Sequence, residues 1–334
     1  MPTNHQPRQP GRRGQSQLRA PHGAGAGNPQ RALQLLRLWR YQRFPAVQQA
    51  RLTGPAVSAT ALIWVDGERA SALPLPDRGL DFGDGLFETL LLRSGTPQFQ
   101  QLHLERLAAG LQVLSFPDCL ERAADCLQQA AEHLQAHAWA ALRLTVTRGA
   151  APRGYAPPAA ATPRVVITAA PLSQDRSLFS PPLALDWAHM PWSSQPQLAG
   201  IKHLNRLEQV LVAARLATMD ADELVVLDQQ GQVCSVSAGN LFLLEQGRLL
   251  TPALETCGIA GTRRRLVLEQ LAPALSIPVA ETHISPAQLA DADAVFVCNS
   301  IRGLQPVASL GERRWHNHEL CHALHEQYLG AMSC

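Results

Sequence analysis

Lysine and arginine together number 29 in this 334-residue chain, and only one of them is a lysine, Lys202. The wealth of Ala, Arg, Leu and Pro describes a composition that replaces lysine wherever a generic cation suffices. A position that keeps lysine against that bias asks for what a guanidinium lacks: a primary amine that can deprotonate and condense with a carbonyl. The competing explanation is chance survival of one surface lysine, and the neighbourhood decides. Lys202 stands in LAGIKHLNRLEQVLVAARL, flanked by Ile201 and Leu204, just before a stretch of helical spacing. Partial loss of water there lowers an amine's pKa and frees it as nucleophile or base.

A Schiff-base lysine is most often a pyridoxal phosphate lysine, so a phosphate cradle should lie elsewhere. GIAGTRRRL (258–266) is a glycine-containing turn opening onto a helix, and the N–H groups at a helix N-terminus bind phosphate. DRGLDFGDGLFETL (77–90), HLERL (103–107), GIKHLNRLEQVL (200–211), GNLFLLEQGRLLTPALETCGIAGTRRRL (239–266) and CNSIRGLQPV (298–307) follow in order. Together they resemble the fold-type IV pyridoxal phosphate enzymes, the family of branched-chain and D-amino-acid aminotransferases, over roughly residues 60 to 328. KHLNRLEQVL, and RGAAPRGY (148–155), are similar to the branch of that family that cleaves 4-amino-4-deoxychorismate.

The resemblance implies roles residue by residue. Lys202 would hold pyridoxal phosphate covalently and act as the catalytic base. Arg106 would pair with the phosphate, Thr262 and Arg263 would give it backbone N–H groups, and Ser300 its hydroxyl. Asn240 would order the turn beside the cofactor ring. Most relatives place a glutamate at the pyridine nitrogen where this chain has Ser235; serine can hydrogen-bond the nitrogen but cannot hold its proton by charge. A weaker electron sink hurts transamination more than an elimination that ends in an aromatic ring. Arg148 and Arg153 are expected to meet the substrate carboxylates, with Tyr155 lining the same pocket and Arg302 as a further candidate.

The implied activity is a lyase of folate biosynthesis that makes 4-aminobenzoate and pyruvate in a cytoplasmic homodimer. One alternative is a D-amino-acid or branched-chain aminotransferase, which would need a 2-oxo-acid acceptor. Another is a weakly active pyridoxal-phosphate-binding protein with a non-catalytic role, recruited to nucleic acid by an arginine-rich tail.

The elements that must position these residues read as α+β in two domains. Residues 1–58 form a basic low-complexity extension, expected to be disordered and non-catalytic. Nine arginines lie between Arg8 and Arg51 and no acidic residue precedes Asp66, so the net charge of +2 conceals a mildly acidic body. A small α+β domain spans 59–170, a linker 171–181, and a large cofactor-binding domain 182–330. A strand and turn are expected at 61–68, a strand entering a hairpin at 88–98, and strands at 141–148, 164–171, 183–188, 223–227, 233–236, 241–244 and 294–298. Helices are expected at 103–114, 120–136, 205–219, 262–271 and 319–328.

No apolar run reaches membrane-spanning length. Seven scattered cysteines without a C-x-x-C pair argue against a disulfide framework and a zinc ribbon. HNHELCHALHEQ (316–327) spaces His318, Cys321 or His322, and His325 along one helix face, but the packed-helix reading outweighs a metal site. Asp81, Asp84 and Glu88 in DFGDGLFE are read as acids that cap or pair locally around a tight turn at Gly83 and Gly85.

Overall fold

The computed structural model describes residues 62–332, so the readings for the N-terminal extension lie outside the described residues. The described residues are built on two sheets.

The first sheet is antiparallel throughout, in the order β2-β1-β6-β5-β3-β4. Its strands are β1 (Leu62–Val65), β2 (Glu68–Arg69), β3 (Gly85–Arg93), β4 (Thr96–Pro97), β5 (Trp139–Thr147) and β6 (Arg164–Pro171). A short helix, α1 (Arg78–Phe82), was not expected and precedes the turn into β3. Asp77 caps it by accepting from Gly79 N–H at 2.8 Å, and Gly83 ends it at φ +65°, a conformation that suits glycine.

Helices α2 (Gln100–Val113) and α3 (Leu120–Glu132) cover one face of this sheet. Strand periodicity sorts the side chains. Leu90 and Leu92 of β3 and Leu142, Leu144 and Val146 of β5 meet Leu107 and Leu127 in the core. The alternate residues, Phe87 and Thr89 on β3 and Arg143 on β5, face the other way and line a cavity, with Thr89 directly opposite Arg143.

The second sheet has nine strands, in the order β12-β11-β10-β13-β14-β7-β8-β9, with β15 (Arg313–Arg314) on β14. They are β7 (Leu183–Trp187), β8 (Glu223–Leu227), β9 (Val233–Val236), β10 (Asn240–Glu245), β11 (Arg248–Pro252), β12 (Val279–Thr282), β13 (Ala294–Asn299) and β14 (Gly303–Leu310). β10 and β13 are buried on both faces: Leu241, Leu243, Val295 and Val297 enter one core, while Phe242 and Phe296 stack at 5.0 Å in another. Such strands read as continuous apolar runs. The helices of this half are α4 (Leu207–Leu216), α5 (Thr262–Leu266), α6 (Pro286–Asp291) and α7 (Glu319–Gly330). α5 runs on through a π-helical turn (Val267–Leu271) and one more α-turn (Ala272–Ala274).

β11, β12 and β14 were not expected. β14 is the instructive case, because it joins β13 to β7 in the middle of the sheet. Gly303 and Pro306 mask it, since glycine and proline argue against a central strand. Pairing with β7 begins at Val307, one residue past the proline that cannot donate. The sheets themselves flank residues 172–182, a stretch with no strand or helix.

Candidate active site

Lys202 sits where the two sheets are stitched together. Phe87 N–H donates to the Lys202 carbonyl at 2.9 Å, and Leu204 N–H to the Gly85 carbonyl at 3.0 Å, so the lysine segment extends the free edge of β3. On its other side, Gly200 N–H donates to the Gly258 carbonyl at 3.1 Å, and Ala260 N–H to the Gly200 carbonyl at 2.9 Å. The lysine is thereby fixed between β3 and the turn that opens α5.

Its side chain enters a cavity of about 590 Å³, a size suited to a small-molecule ligand. Nζ lies 4.4 Å from the centre of the Phe87 ring. Burial, reinforced by the Arg106, Arg206 and Arg143 cations and opposed by Glu88, pulls the amine down to about 7. An ordinary surface lysine stays charged at neutral pH; this one is available as a free amine.

The phosphate end of the cavity is the start of α5. The N–H groups of a helix's first turn have no partner within the helix, and they carry its positive dipole end. Thr262 and Arg263 supply those groups here, and both line the cavity. The preceding Gly261 is required by its neighbour: a Cβ there would lie 2.0 Å from Asn240 Oδ1. Asn240 in turn donates through Nδ2 to the Ile259 carbonyl at 2.9 Å, which sets the turn. Gly261→Ala is therefore expected to cost about 1–3 kcal/mol of stability. Chemical denaturation checks this; an unchanged midpoint would show that the turn relaxes freely.

A buried polar chain supports this end. Glu88 accepts from Arg106 Nε at 2.7 Å and from Arg106 Nη2, and it meets His103 Nδ1 at 2.6 Å. His103 Nε2 faces Arg263 Nη1 at 3.4 Å, a group that only donates. The partners thus assign a neutral histidine, with its proton on Nδ1. Burial lowers the His103 pKa to about 4, and the Arg106 cation and His103 hold Glu88 near 2 against the opposing effect of burial. The local reading of the DFGDGLFE acids needs correction here. Asp84 does bridge Arg78 at 2.7 Å and Arg148 at 2.8 Å. Glu88, however, points across to α2, because alternation along β3 places it on the helix side of the sheet.

Of the residues expected at the site, Lys202, Arg106, Ser235, Asn240, Thr262, Arg263, Ser300 and Arg302 are brought together around the cavity. Ser235 Oγ accepts from Trp192 Nε1 at 2.8 Å. Ser300 and Arg302 lie in the β13–β14 hairpin, whose turn is held by Asn299 Oδ1 accepting from Ile301 and Arg302 N–H. Arg302 is ion-paired with Glu223 at 2.9 Å.

Arg148, Arg153 and Tyr155 are not at this cavity. Arg148 is a correction: its guanidinium is spent on Asp84, on the Ser115 and Leu114 carbonyls at 3.1 and 2.7 Å, and on the Phe116 ring. Tyr155 is 85% exposed and tilts against Phe82, and Arg153 lies on the same exposed loop. On α7, His325 Nε2 meets the Ser177 carbonyl at 3.1 Å and its ring packs on Phe179, while Cys321 is buried in the apolar core.

Sequence reading missed His103, Arg143, Trp192 and Arg206 and gave Glu88 a local role. The i, i+3 spacing of His103 and Arg106 was the available signal for the partners of Glu88. Nothing local pointed to Arg143 on its strand.

The residues fit pyridoxal phosphate. A sheltered amine of depressed pKa, a glycine-lined turn and a helix N-terminus converge on one cavity of the right size. Comparison with known proteins agrees. Residues 85–310 match the family described as amino-transferase class IV. The aminodeoxychorismate lyase of Vibrio harveyi is 33% identical over 260 residues, 75% of this chain and 91% of that protein. A D-alanine aminotransferase of Bacillus licheniformis is 27% identical over 72% of this chain and 83% of that one. The crystal structure of 4-amino-4-deoxychorismate lyase from Pseudomonas aeruginosa superposes with a TM-score of 0.76 at 40% identity, covering 80% of this chain and 98% of that one.

Proposed function

The chain belongs to the class IV aminotransferase family, and from that premise we propose that it is a pyridoxal-phosphate-dependent lyase that converts 4-amino-4-deoxychorismate to 4-aminobenzoate and pyruvate. The observation that carries this reading is the 40% identity to a lyase structure across nearly its whole length. The cavity supports it.

The cofactor of this family is pyridoxal phosphate; when bound, it supplies an aldehyde that captures the substrate amine and a ring that withdraws electrons from the adjacent carbon. Lys202 would hold it, with Thr262, Arg263, Ser300 and Arg106 toward the phosphate and Ser235 and Asn240 toward the ring. Lys202 is also the base. As a free amine near neutral pH, Nζ takes the proton from C4 of the substrate. The C3–O bond then breaks with its electron pair on oxygen, and the ring becomes aromatic. The departing enolpyruvate takes up a proton at its methylene carbon and becomes pyruvate, so atoms balance. Phe87 and Trp192 wall the site and limit water around Nζ.

Ser235 favours this elimination over transamination. Its hydroxyl oxygen is held by Trp192, and a serine cannot stabilise a pyridinium by charge. A homodimer is part of the proposal; Leu207, Val210 and Leu211, exposed at 78%, 58% and 43% on α4 beside the cavity, offer an apolar surface for it. A cytoplasmic setting is supported by six free cysteines among the described residues. No helix among the described residues is long and apolar enough to cross a membrane.

The test is release of 4-aminobenzoate and pyruvate from 4-amino-4-deoxychorismate, with pyridoxal phosphate and no amino acceptor. Equimolar release of both is expected. Turnover that appears only when a 2-oxo acid is added would replace this reading with an aminotransferase.

A further inference from the structure

We propose that Arg143 and Arg206 are the carboxylate receptors of the cavity, each guanidinium taking one carboxylate of a small dicarboxylate amine. The proposal rests on the lyase reading, whose substrate carries two carboxylates.

A charge inventory of the cavity leads to these two residues. Arg106 is neutralised by Glu88 and Arg302 by Glu223. Arg263 turns away, toward the Tyr328 hydroxyl at 3.3 Å and the Ser300 carbonyl at 3.2 Å, with Phe99 beneath it. Arg143 and Arg206 line the same cavity and form no ion pair among the described residues. The single side-chain hydrogen bond of Arg143 runs from Nε to Thr145 Oγ1 at 3.3 Å, which leaves both terminal nitrogens of its fork open. Arg206 donates through Nε to the His203 carbonyl at 2.8 Å, and its Nη2 is shielded from solvent with no acceptor.

Sheltered, unpaired cations are costly, and a chain keeps them where a ligand supplies the counter-charge. Both surround the reacting amine. Arg143 sits 3.7 Å from the centre of the Phe87 ring, the ring that also carries Lys202 Nζ. Both cations act on Lys202, depressing its pKa, and burial draws Arg206 itself down to about 10. A planar guanidinium fork matches a carboxylate in two parallel hydrogen bonds, which lysine cannot do. The site thus presents two open guanidinium forks beside one nucleophile, the complement of an amine that carries two carboxylates.

The experiment uses the full-length holo-protein and the variants Arg143→Met, Arg206→Gln, Arg143→Lys and Arg206→Lys. Two readouts are taken: steady-state kinetics with 4-amino-4-deoxychorismate, and calorimetric binding of chorismate, the 4-hydroxy counterpart that keeps both carboxylates but has no amine to react. The neutral variants are expected to raise KM and to weaken chorismate binding by about 10- to 100-fold, the size of a lost charge-assisted pair. The loss should fall on KM more than on kcat, and the lysine variants should recover part of it. Unchanged KM and unchanged chorismate affinity in both neutral variants would overturn the proposal while leaving the lyase reading intact. A loss confined to kcat or to oligomeric state would also overturn it, as a structural role. If the wild-type protein released no 4-aminobenzoate, the lyase reading would fall. The chorismate titration would still decide whether these arginines receive a dicarboxylate.

Discussion

Lys202→Ala is expected to lower lyase turnover by about 10⁴-fold or more, because one change removes both the covalent anchor and the base. It should also abolish the visible absorbance of lysine-linked pyridoxal phosphate. Among the described residues no other lysine exists to replace it, and Lys202→Arg restores the charge without restoring an amine that can condense. The backbone bonds that hold the segment, Phe87 N–H to the Lys202 carbonyl and Leu204 N–H to the Gly85 carbonyl, do not depend on the side chain. The variant should therefore fold, and its far-ultraviolet dichroism should match the parent. A retained lysine-linked absorbance band would place the anchor elsewhere. The pH dependence carries the same signature. With the amine near 7, capture of pyridoxal phosphate by apo-protein should accelerate as pH rises through about 7 and then level off. A rate that climbs steadily to pH 10 would mean an ordinary solvated lysine.

Glu88→Gln is expected to destabilise the protein by about 3–5 kcal/mol, the cost of leaving one half of a buried ion pair uncompensated. Glu88 is 1% exposed and satisfies Arg106 and His103 together. Equilibrium denaturation at pH 7 reads the loss; a change below about 1 kcal/mol would mean that Arg106 finds another partner or water. Acid sensitivity follows from the same cluster. Both groups have folded pKa values below their ordinary ones, so the unfolded chain binds protons first. Stability is fully present above about 6.5, declines as His103 is protonated toward its folded value of about 4, and declines again between about 4.5 and 2 as Glu88 is protonated. In Glu88→Gln the lower of these two declines should disappear.

Legibility varied by residue for physical reasons. Lys202 stood out because a composition bias had removed every other lysine. The turn at 258–262 was visible because glycine before a helix is a local signal. Glu88 was misread because its neighbours Gly83, Asp84 and Gly85 signal a turn, whereas its partners lie 15 and 18 residues away on α2. Arg148 was assigned to substrate from its loop, and the fold spends it on Asp84 and two carbonyls instead. β14 stayed hidden because Pro306 and Gly303 weaken a strand by propensity, and its place is fixed by β13 and β7 on either side.

The sequence by itself singled out the one amine and a turn where a phosphate could rest, and its alternating and 3.6-residue patterns determined an α+β chain. Residue type and local spacing carry that information, because they act over a few neighbouring positions. Only the tertiary structure decided which arginines are free. A guanidinium's partner is set by strands and helices far apart in sequence. In this fold Glu88 on β3 neutralises Arg106 and Glu223 on β8 neutralises Arg302, while the cavity face of β5 and the entrance of α4 leave Arg143 and Arg206 without a described ion-pair partner beside Lys202.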